Sequence, residues 1–404
     1  MSKDEQDAKP RFIGEATDFV AVGELGKVQT GGTPSSKHPE YFLGDIPWVS
    51  TTSLNGSIVD KSCATKLITE DAVSNSATKI VPPGSILVGI RVGVGKVGIN
   101  SVPMCTSQDV VSIIGIDERE WSKEYISFAL HYLAPTLAAK AQGATISGIS
   151  SATLKLAKIP KRKKAEQLLI VQQLVSVKKH INLAHEQIKR METLVKSQFI
   201  EMFGNPAKID RASKVKLGEV FRVRSSKRIY AKDQVKEGVP FYRLADIGSL
   251  IDGTIPDPNS FLSEARYQEL KQNGQVPEPG DILVTARGTL GKCYIVEKGD
   301  RFYFQDGMIS WLSRTGNSPL SEWIVALFDN DDFIGKLKES CSGTTVKYLS
   351  IADLADIEVV LPPLSLQREF AAFACEVDKL EFAARESIKK LQTLYDSLAQ
   401  EYFG

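Results

Sequence analysis

The sequence predicts an α+β protein in which two similar strand-rich domains are separated by a pair of long helices that form an antiparallel coiled coil. Three observations lead to this prediction. The chain contains an internal repeat, each copy has β-branched runs bounded by turn residues, and each copy ends in a long segment with a heptad pattern. The 404 residues are 42% hydrophobic and 25% charged, values that are typical of folded proteins.

The internal repeat relates positions that lie about 200 residues apart. The Pro-Gly turn at 83–84 returns at 279–280, and the Gly-Lys turn at 95–96 returns at 291–292. From Gly143 onward the offset is constant at 200, and 12 of the 28 positions between Val177 and Gly204 are identical in the second copy. A match of this length in constant register indicates that the protein consists of two copies of one unit.

Each copy begins with a strand-rich part. β-Branched runs at 85–91 and 281–286 lie between Pro-Gly and Gly-Lys turns, which is the pattern of a strand, a turn and a second strand. The predicted domains are an N-terminal tail at 1–16, a first strand-rich domain at 17–160, a first helix at 161–204, a second strand-rich domain at 205–362 and a second helix at 363–404.

Each copy ends in a long helix, at about 167–202 and 367–402, without internal glycine or proline. Apolar residues recur at alternating steps of four and three, with one interruption at Glu381. The predicted seam contains Leu174, Val177, Ile181, Ile188 and Met191 in the first helix and Val377, Ala384, Ile388, Leu391 and Tyr395 in the second. Two amphipathic helices that lie separately on their own domains are an alternative. The sustained 3.5-residue period favours a partner helix, and we expect the two copies to pair with each other.

The composition restricts the class of protein. Lys plus Arg number 50 and Asp plus Glu 49, so the net charge is +1 and any surface for a polyanion must be local. The five cysteines are scattered without a Cys-x-x-Cys pair, which indicates reduced thiols and a cytoplasmic protein. No stretch reaches the roughly 18 apolar residues that a membrane span needs.

Catalytic motifs are missing from the sequence. Val97 follows the Gly-Lys turn at 95–96, where a phosphate-binding loop needs Ser or Thr. The four histidines form no His-Glu-x-x-His motif, and no Asp/Asn-Pro-Pro-Tyr/Phe motif of an amino-methyltransferase occurs. We therefore expect a protein that is not an enzyme and that binds no metal.

Basic and hydroxyl residues are concentrated where they could contact DNA. The segment 214–232 carries seven Lys and Arg with Glu219 as its one acid, and the matching segment 27–37 is rich in Gly, Thr and Ser. Such residues suit phosphate contacts, and an arginine beside a glycine turn can reach guanine. Solvated basic faces and residues that hold the sheet are the alternatives. The candidate DNA-binding residues are Lys27, Thr30, Thr33, Lys37, Trp48, Arg91, Lys96, Gln108, Arg224, Ser225, Lys227, Arg228, Arg243, Arg287, Lys292, Gln305, Thr344 and Lys347.

Together these elements resemble the specificity (S) subunit of type I restriction–modification systems. The resemblance is carried by Pro-Gly-Asp-Ile-Leu-Val…Arg-Gly-x-x-Gly-Lys at 279–292 with its copy at 83–96, Ser-Gly-Thr-Thr…Leu-Ser at 342–350, Leu-Pro-Pro-Leu at 361–364, and the helix that ends in Tyr-Phe-Gly. It spans nearly the whole chain. The first copy departs from the pattern, because it has the more basic Ile-Pro-Lys-Arg at 159–162.

The resemblance implies a non-catalytic subunit whose two target-recognition domains each bind one half of a bipartite double-stranded DNA target. The helices would fix the gap between the half-sites. Two adenine methyltransferase (M) subunits would dock on this frame, and two motor–nuclease (R) subunits would join them. S-adenosylmethionine, ATP and Mg would be bound by those partners and no cofactor by this chain. The alternatives are a coiled-coil scaffold with two protein-binding ends and a self-sufficient methyltransferase or nuclease.

Overall fold

The computed structural model describes residues 18–56, 58–141, 148–206, 214–287, 289–305, 307–340 and 348–404. They form two compact units. Unit 1 comprises Met1–Ala184 and Ser387–Gly404, and unit 2 comprises His185–Glu386. Each unit therefore contains one strand-rich part together with segments of both long helices.

Unit 1 holds the first copy of the strand-rich part. Its strands are β1 (Asp18–Ala21), β2 (Lys27–Thr30), β3 (Ile46–Val49), β4 (Ile58–Val59), β5 (Lys66–Ile68), β6 (Ile80–Val81), β7 (Ile86–Gly89), β8 (Val97–Asn100), β9 (Met104–Thr106), β10 (Val110–Ile114) and β11 (Lys158–Lys161). Its helices are α1 (Glu70–Ser74), α2 (Lys123–Tyr132), α3 (Ala134–Ala139), α4 (Ser151–Leu156) and the start of α5 (Lys164–Phe203). The strands form a five-stranded sheet in the order β2-β10-β7-β8-β4, a four-stranded sheet in the order β5-β3-β9-β6, and the pair β1-β11.

Strand β7 is buried on both faces. Successive side chains of a strand point to opposite sides, so neighbouring residues of β7 enter different cores. Ile86 and Val88 pack in a core with Tyr125 of α2, whereas Leu87 packs with Met104 of the four-stranded sheet. This explains why the sequence there is a continuous apolar run and not an alternation of apolar and polar residues.

Unit 2 repeats this arrangement. Its strands are β12 (Lys214–Lys216), β13 (Phe221–Arg224), β14 (Gln234–Val235), β15 (Val239–Tyr242), β16 (Phe261–Leu262), β17 (Ile282–Thr285), β18 (Cys293–Ile295), β19 (Tyr303–Phe304), β20 (Ile309–Arg314) and β21 (Glu358–Val360). Its helices are the end of α5, α6 (Leu217–Val220), α7 (Leu244–Ile251), α8 (Glu264–Gln272), α9 (Ser321–Phe328), α10 (Asp331–Ser340), α11 (Ile351–Asp356) and the start of α12 (Leu364–Phe403). The sheet orders are β13-β20-β17-β18, β14-β16-β15-β19 and β12-β21.

The long helices α5 and α12 each have 40 residues, or about 60 Å of helix. In unit 1 the first turns of α5, at Ile170 and Leu174, share a core with Tyr402 near the end of α12. In unit 2 the last turns of α5 meet the first turns of α12, with the rings of Phe199 and Phe370 at 5.5 Å. The two helices therefore pair antiparallel, as predicted.

The predicted seam points inward along both helices. All ten seam residues are buried or half-buried. Glu381, which interrupts the heptad pattern, accepts a hydrogen bond from Nε of Arg385 at 3.0 Å on the same helix. Across the described residues, no helix is both long enough and apolar enough to cross a membrane.

Candidate nucleic-acid interface

In unit 2 the carboxyl ends of four strands lie close to the start of β20. Strands β13 and β17 pair antiparallel with β20, so that Arg224 and Thr285 lie opposite its first three residues. Strand β15 runs parallel to β19, and the backbone N–H of Gln305 donates to the carbonyl of Tyr242 at 3.1 Å. The residues that follow these strands, 225–230, 243, 287 and 305, therefore lie on one side of the unit, which we call the strand-end surface of unit 2.

The strand-end surface of unit 2 carries several exposed cations. Lys227 and Arg228 lie in the loop after β13, and Arg243 and Arg287 follow β15 and β17. The exposed hydroxyl of Ser225 lies in the same loop as the first two. Residues of this kind can neutralise phosphates and donate hydrogen bonds to base edges.

The buried Tyr303 of β19 and the half-buried Gln305 that follows this strand hold the basic loop 225–230. The hydroxyl of Tyr303 donates to the carbonyl of Lys227 at 2.7 Å, and Oε1 of Gln305 accepts the backbone N–H of Ile229. Burial raises the pKa of Tyr303 to about 12, so the phenol remains a neutral donor near pH 7. The loop backbone is therefore fixed while its basic side chains extend to solvent.

Arg243 is positioned by the helix that it precedes. Its backbone N–H donates to the carboxylate of Asp246 at 2.8 Å, which satisfies a free donor at the start of α7. Its guanidinium lies 5.3 Å from the ring centroid of Phe241, while the residue as a whole stays exposed. The charge is thus oriented but available to a ligand.

Two predicted residues of unit 2 form contacts within the protein. The guanidinium of Arg224 stacks 3.9 Å above the ring of Trp311 and donates to the carbonyl of Gly274 at 2.6 Å; partial burial lowers its pKa. Nζ of Lys292 donates to the carboxylate of Asp329 at 3.0 Å, and this bond raises the pKa of the lysine. Arg224 therefore holds the sheet and Lys292 holds the end of α9, and both charges are already engaged within the protein.

Unit 1 has a strand-end surface of the same construction. The backbone N–H of Gly31, after β2, donates to Val110 at the start of β10 at 3.1 Å, and that of Ile90, after β7, donates to the carbonyl of Asp109 at 2.8 Å. Ser107, after β9, donates its N–H to Val49 at the end of β3 at 2.8 Å. The loops 31–38, 50–53, 90–96 and 107–109 therefore form the strand-end surface of unit 1.

The predicted residues of unit 1 divide between this surface and the rest of the unit. The exposed residues on the surface or at its edge are Thr30, Thr33, Lys37, Lys96 and Gln108. Nη1 of Arg91 lies 4.0 Å from Oδ1 of Asp109, and the arginine side chain is half exposed. Lys27 stands at the opposite end of β2, about 10 Å of extended chain from Thr30. The structure thus brings most of these residues together and leaves Lys27 apart.

Trp48 is buried, and its indole N–H donates to the carbonyl of Gly32 at 3.0 Å. Trp48 therefore fixes the loop 31–38 of the strand-end surface and is not available to stack on a base. Gln108 and Gln305 are aligned by sequence but differ in place, because Gln108 is exposed whereas Gln305 is half-buried and holds Ile229. Thr344 and Lys347 lie outside the described residues.

Unit 1 also carries a hydroxyl cluster that the candidate residues do not include. The hydroxyl of Ser50 lies 2.8 Å from that of Thr52 and 3.1 Å from that of Thr65. Ser50 follows β3 as Arg243 follows β15, so the two surfaces have different chemistry at this place. The signal in the sequence was a run of hydroxyl residues directly after a strand. Tyr230, 58% exposed beside Arg228, is likewise absent from the candidate residues.

The strand-rich repeats and the antiparallel long helices define a class of internally duplicated proteins. The family model described as the type I restriction modification DNA specificity domain matches residues 15–193 and 210–392, and the chain belongs to this family. Among the described residues, no group of three or more His, Cys, Asp or Glu side chains is arranged to hold a metal ion.

Two relatives of known sequence agree with this assignment. The type I restriction enzyme MjaIX specificity subunit of Methanocaldococcus jannaschii is 25% identical over 94% of this chain and 91% of its own length. The EcoR124I/EcoR124II specificity subunit of Escherichia coli is 32% identical over 38% of this chain and 39% of its own.

Two solved structures share the fold. The S subunit of M. genitalium has a TM-score of 0.54 at 17% identity and covers 96% of both chains. A chain from work on complex assembly and conformational transition of the type I R-M system has a TM-score of 0.60 at 17% identity and covers 97% of this chain and 99% of its own.

Proposed function

We propose that this chain is the DNA-recognition subunit of a type I restriction–modification complex and that it binds a bipartite double-stranded target. The strand-end surface of unit 1 would contact one half-site, and that of unit 2 would contact the other. The observation that carries the proposal is the repetition of this surface in both units, with exposed cations on loops that are fixed by buried side chains. Phosphate contacts would position each unit, and arginines such as Arg243 and Arg287 would recognise bases.

The pair of long helices suits the role of a spacer. A continuous antiparallel pair resists bending far better than a loop, so it would hold the gap between the two half-sites constant. Each short half-site supplies only a few base pairs of discrimination, each worth about 1–3 kcal/mol, and rigid linkage combines both contributions.

Catalysis would belong to partner subunits. Two methyltransferase subunits that bind S-adenosylmethionine would dock on the chain, and two motor–nuclease subunits that use ATP and Mg²⁺ would complete the cytoplasmic complex. The absence of known catalytic motifs from the sequence supports this division, in which the chain supplies target choice and positioning.

Methylome sequencing of the source strain with and without this gene tests the proposal. Loss of methyl-adenine from one split motif, two short blocks around a fixed gap, is the expected result. An unchanged methylome in a strain that expresses the methyltransferase partner would contradict it. Binding of the purified complex to that motif should also weaken steeply with salt, because counterions are released from each contacted phosphate. Salt-insensitive association without DNA would favour a protein-binding scaffold.

A further inference from the structure

Val92 has an unusual backbone conformation. Its φ of 43° lies in the left-handed region, and within the described residues it is the one non-glycine residue with positive φ. A β-branched side chain is strained there, whereas glycine is not. The aligned residue of the second copy is Gly288 in the sequence. If folding alone decided this position, glycine would be the better residue at position 92.

The loop around Val92 does not use its side chain for packing. The backbone N–H of Gly95 donates to Gly89 at 2.9 Å, and the N–H of Lys96 donates to Gly93 at 3.1 Å, which closes the turn between β7 and β8. A Cβ at Gly95 would come within 2.2 Å of Cβ of Ala134, so the turn is packed tightly against α3. Val92 nevertheless stays 59% exposed. The turn is therefore fixed with an isopropyl group directed to solvent.

The neighbours of Val92 indicate what this group would meet. Val92 lies on the strand-end surface of unit 1 between the half-exposed Arg91 and the exposed Lys96. Cations on both sides favour phosphate, so the turn would approach the duplex with an apolar tip between two charges. In the major groove the 5-methyl group of thymine is the apolar feature among polar base edges.

We propose that Val92 contacts the 5-methyl group of a thymine in the half-site bound by unit 1. The inference rests on the proposed function and adds a specificity-determining residue to it. The strain at this residue is retained because its side chain makes a contact that glycine cannot make. Cytosine carries the same methyl group when it is 5-methylated, so the test must distinguish the two bases.

The test uses the full chain assembled with its methyltransferase subunits. The DNA is a set of duplexes that contain the split motif identified by methylome sequencing. Each thymine of the half-site is replaced in turn by deoxyuridine, which lacks the methyl group. The wild type should lose about threefold to fivefold in affinity at one position, the effect of about one buried methylene-sized group. Val92→Gly should bind both duplexes equally, at the affinity of the wild type for the uracil duplex.

A wild type that is indifferent to every uracil would overturn the inference, and so would a Val92→Gly variant that keeps the wild-type ratio. A gain on replacing one cytosine by 5-methylcytosine, without any uracil effect, would also overturn the thymine assignment. Leu156→Ala, which removes an exposed apolar group at the end of α4, is the control and should keep the thymine preference. Val92→Gly should melt no lower than the wild type, which separates recognition from folding. Failure to bind any split motif would instead refute the proposed function.

Discussion

The side-chain oxygen of Gln167 accepts the backbone N–H of Ser122 at 2.7 Å and thereby fixes the first turn of α5 to the start of α2. The amide of the same glutamine donates to the carbonyl of Arg162 at 2.8 Å. Unit 2 repeats this arrangement, because Gln367 accepts the N–H of Leu320 at 2.9 Å and donates to Pro362 at 2.8 Å. Both glutamines are buried, so each long helix is attached to its own strand-rich part by a satisfied polar side chain.

Replacing either glutamine by leucine should destabilise its unit. The backbone groups left without a partner are buried at Gln167 and partly buried at Gln367, at a cost of about 1–3 kcal/mol for each variant, and more at Gln167, which also donates to the carbonyl of Glu120 at 2.9 Å. Urea unfolding followed by tryptophan fluorescence measures the change. The exposed Gln172→Leu on α5 is the control and should stay within about 0.5 kcal/mol. Equal stabilities for Gln167→Leu and Gln172→Leu would show that the bonds add nothing.

A charge in the helix seam should disrupt the helix pair. Ile188 is 8% exposed, so Ile188→Glu places a carboxylate at a buried position of the seam, and we expect a loss of about 3 kcal/mol or more in stability. Circular dichroism during thermal unfolding measures this loss. Methylome sequencing of a strain with the variant measures the gap between the two blocks of the split motif. Gln187→Glu introduces a carboxylate at an exposed neighbouring position and should change neither quantity. Normal melting and an unchanged gap for Ile188→Glu would exclude the helix pair as the spacer.

Arg287→Ala should relax the target sequence at one base pair of one half-site. The arginine is exposed directly after β17 on the strand-end surface, and loss of a bidentate contact to guanine costs about 1–3 kcal/mol of discrimination. Methylome sequencing of a strain with the variant shows whether one position becomes degenerate. Arg222→Ala removes the same charge from an exposed site within β13 and should leave the motif intact. Uniform weakening across sequences would assign Arg287 to a phosphate.

The repeat, the strand–turn–strand elements and the helix seam could be predicted from the sequence because each is encoded by local periodicity. The roles of single residues could not. Trp48 resembles a stacking residue until its indole N–H is placed against Gly32, and Gln305 resembles Gln108 until its oxygen is placed against Ile229. Such contacts join segments that lie far apart in the chain, so local sequence patterns do not predict them. The second copy also has one more residue than the first between its Gly-Lys turn and Gln305, which shows that the loops of the two copies differ in length. Val92 shows the same limit, because its strained φ has no sequence signal besides the glycine in the other copy.

Lys96 and Lys292 are aligned in the two copies but should contribute differently to DNA binding. Lys292 is paired with Asp329 at 3.0 Å, whereas Lys96 is exposed on the strand-end surface of unit 1, and its side-chain ammonium forms no ion pair or hydrogen bond with the described residues. Lys96→Ala should reduce the slope of log affinity against log salt by about 1, the loss of one phosphate contact. Lys292→Ala should change that slope little and cost at most about 1 kcal/mol of stability. Filter-binding titrations at several salt concentrations measure the slopes, and equal slopes for the two variants would contradict the difference.

Tyr303→Phe should loosen the basic loop of unit 2 without unfolding the unit. The substitution keeps the buried ring, which stacks on Phe241, and removes only the hydroxyl that donates to the carbonyl of Lys227 at 2.7 Å. We expect a loss of about 1 kcal/mol in stability and faster amide exchange at residues 225–230. The full chain should also bind the half-site that unit 2 contacts more weakly, while its binding to the other half-site should not change.

Because burial raises the pKa of Tyr303 from 10 to about 12, folding disfavours the ionised phenol. The wild type should therefore lose stability between pH 10 and pH 12, and the phenylalanine variant should lose less over that range. Parallel pH dependences for the two proteins would show that the hydroxyl is not buried in solution.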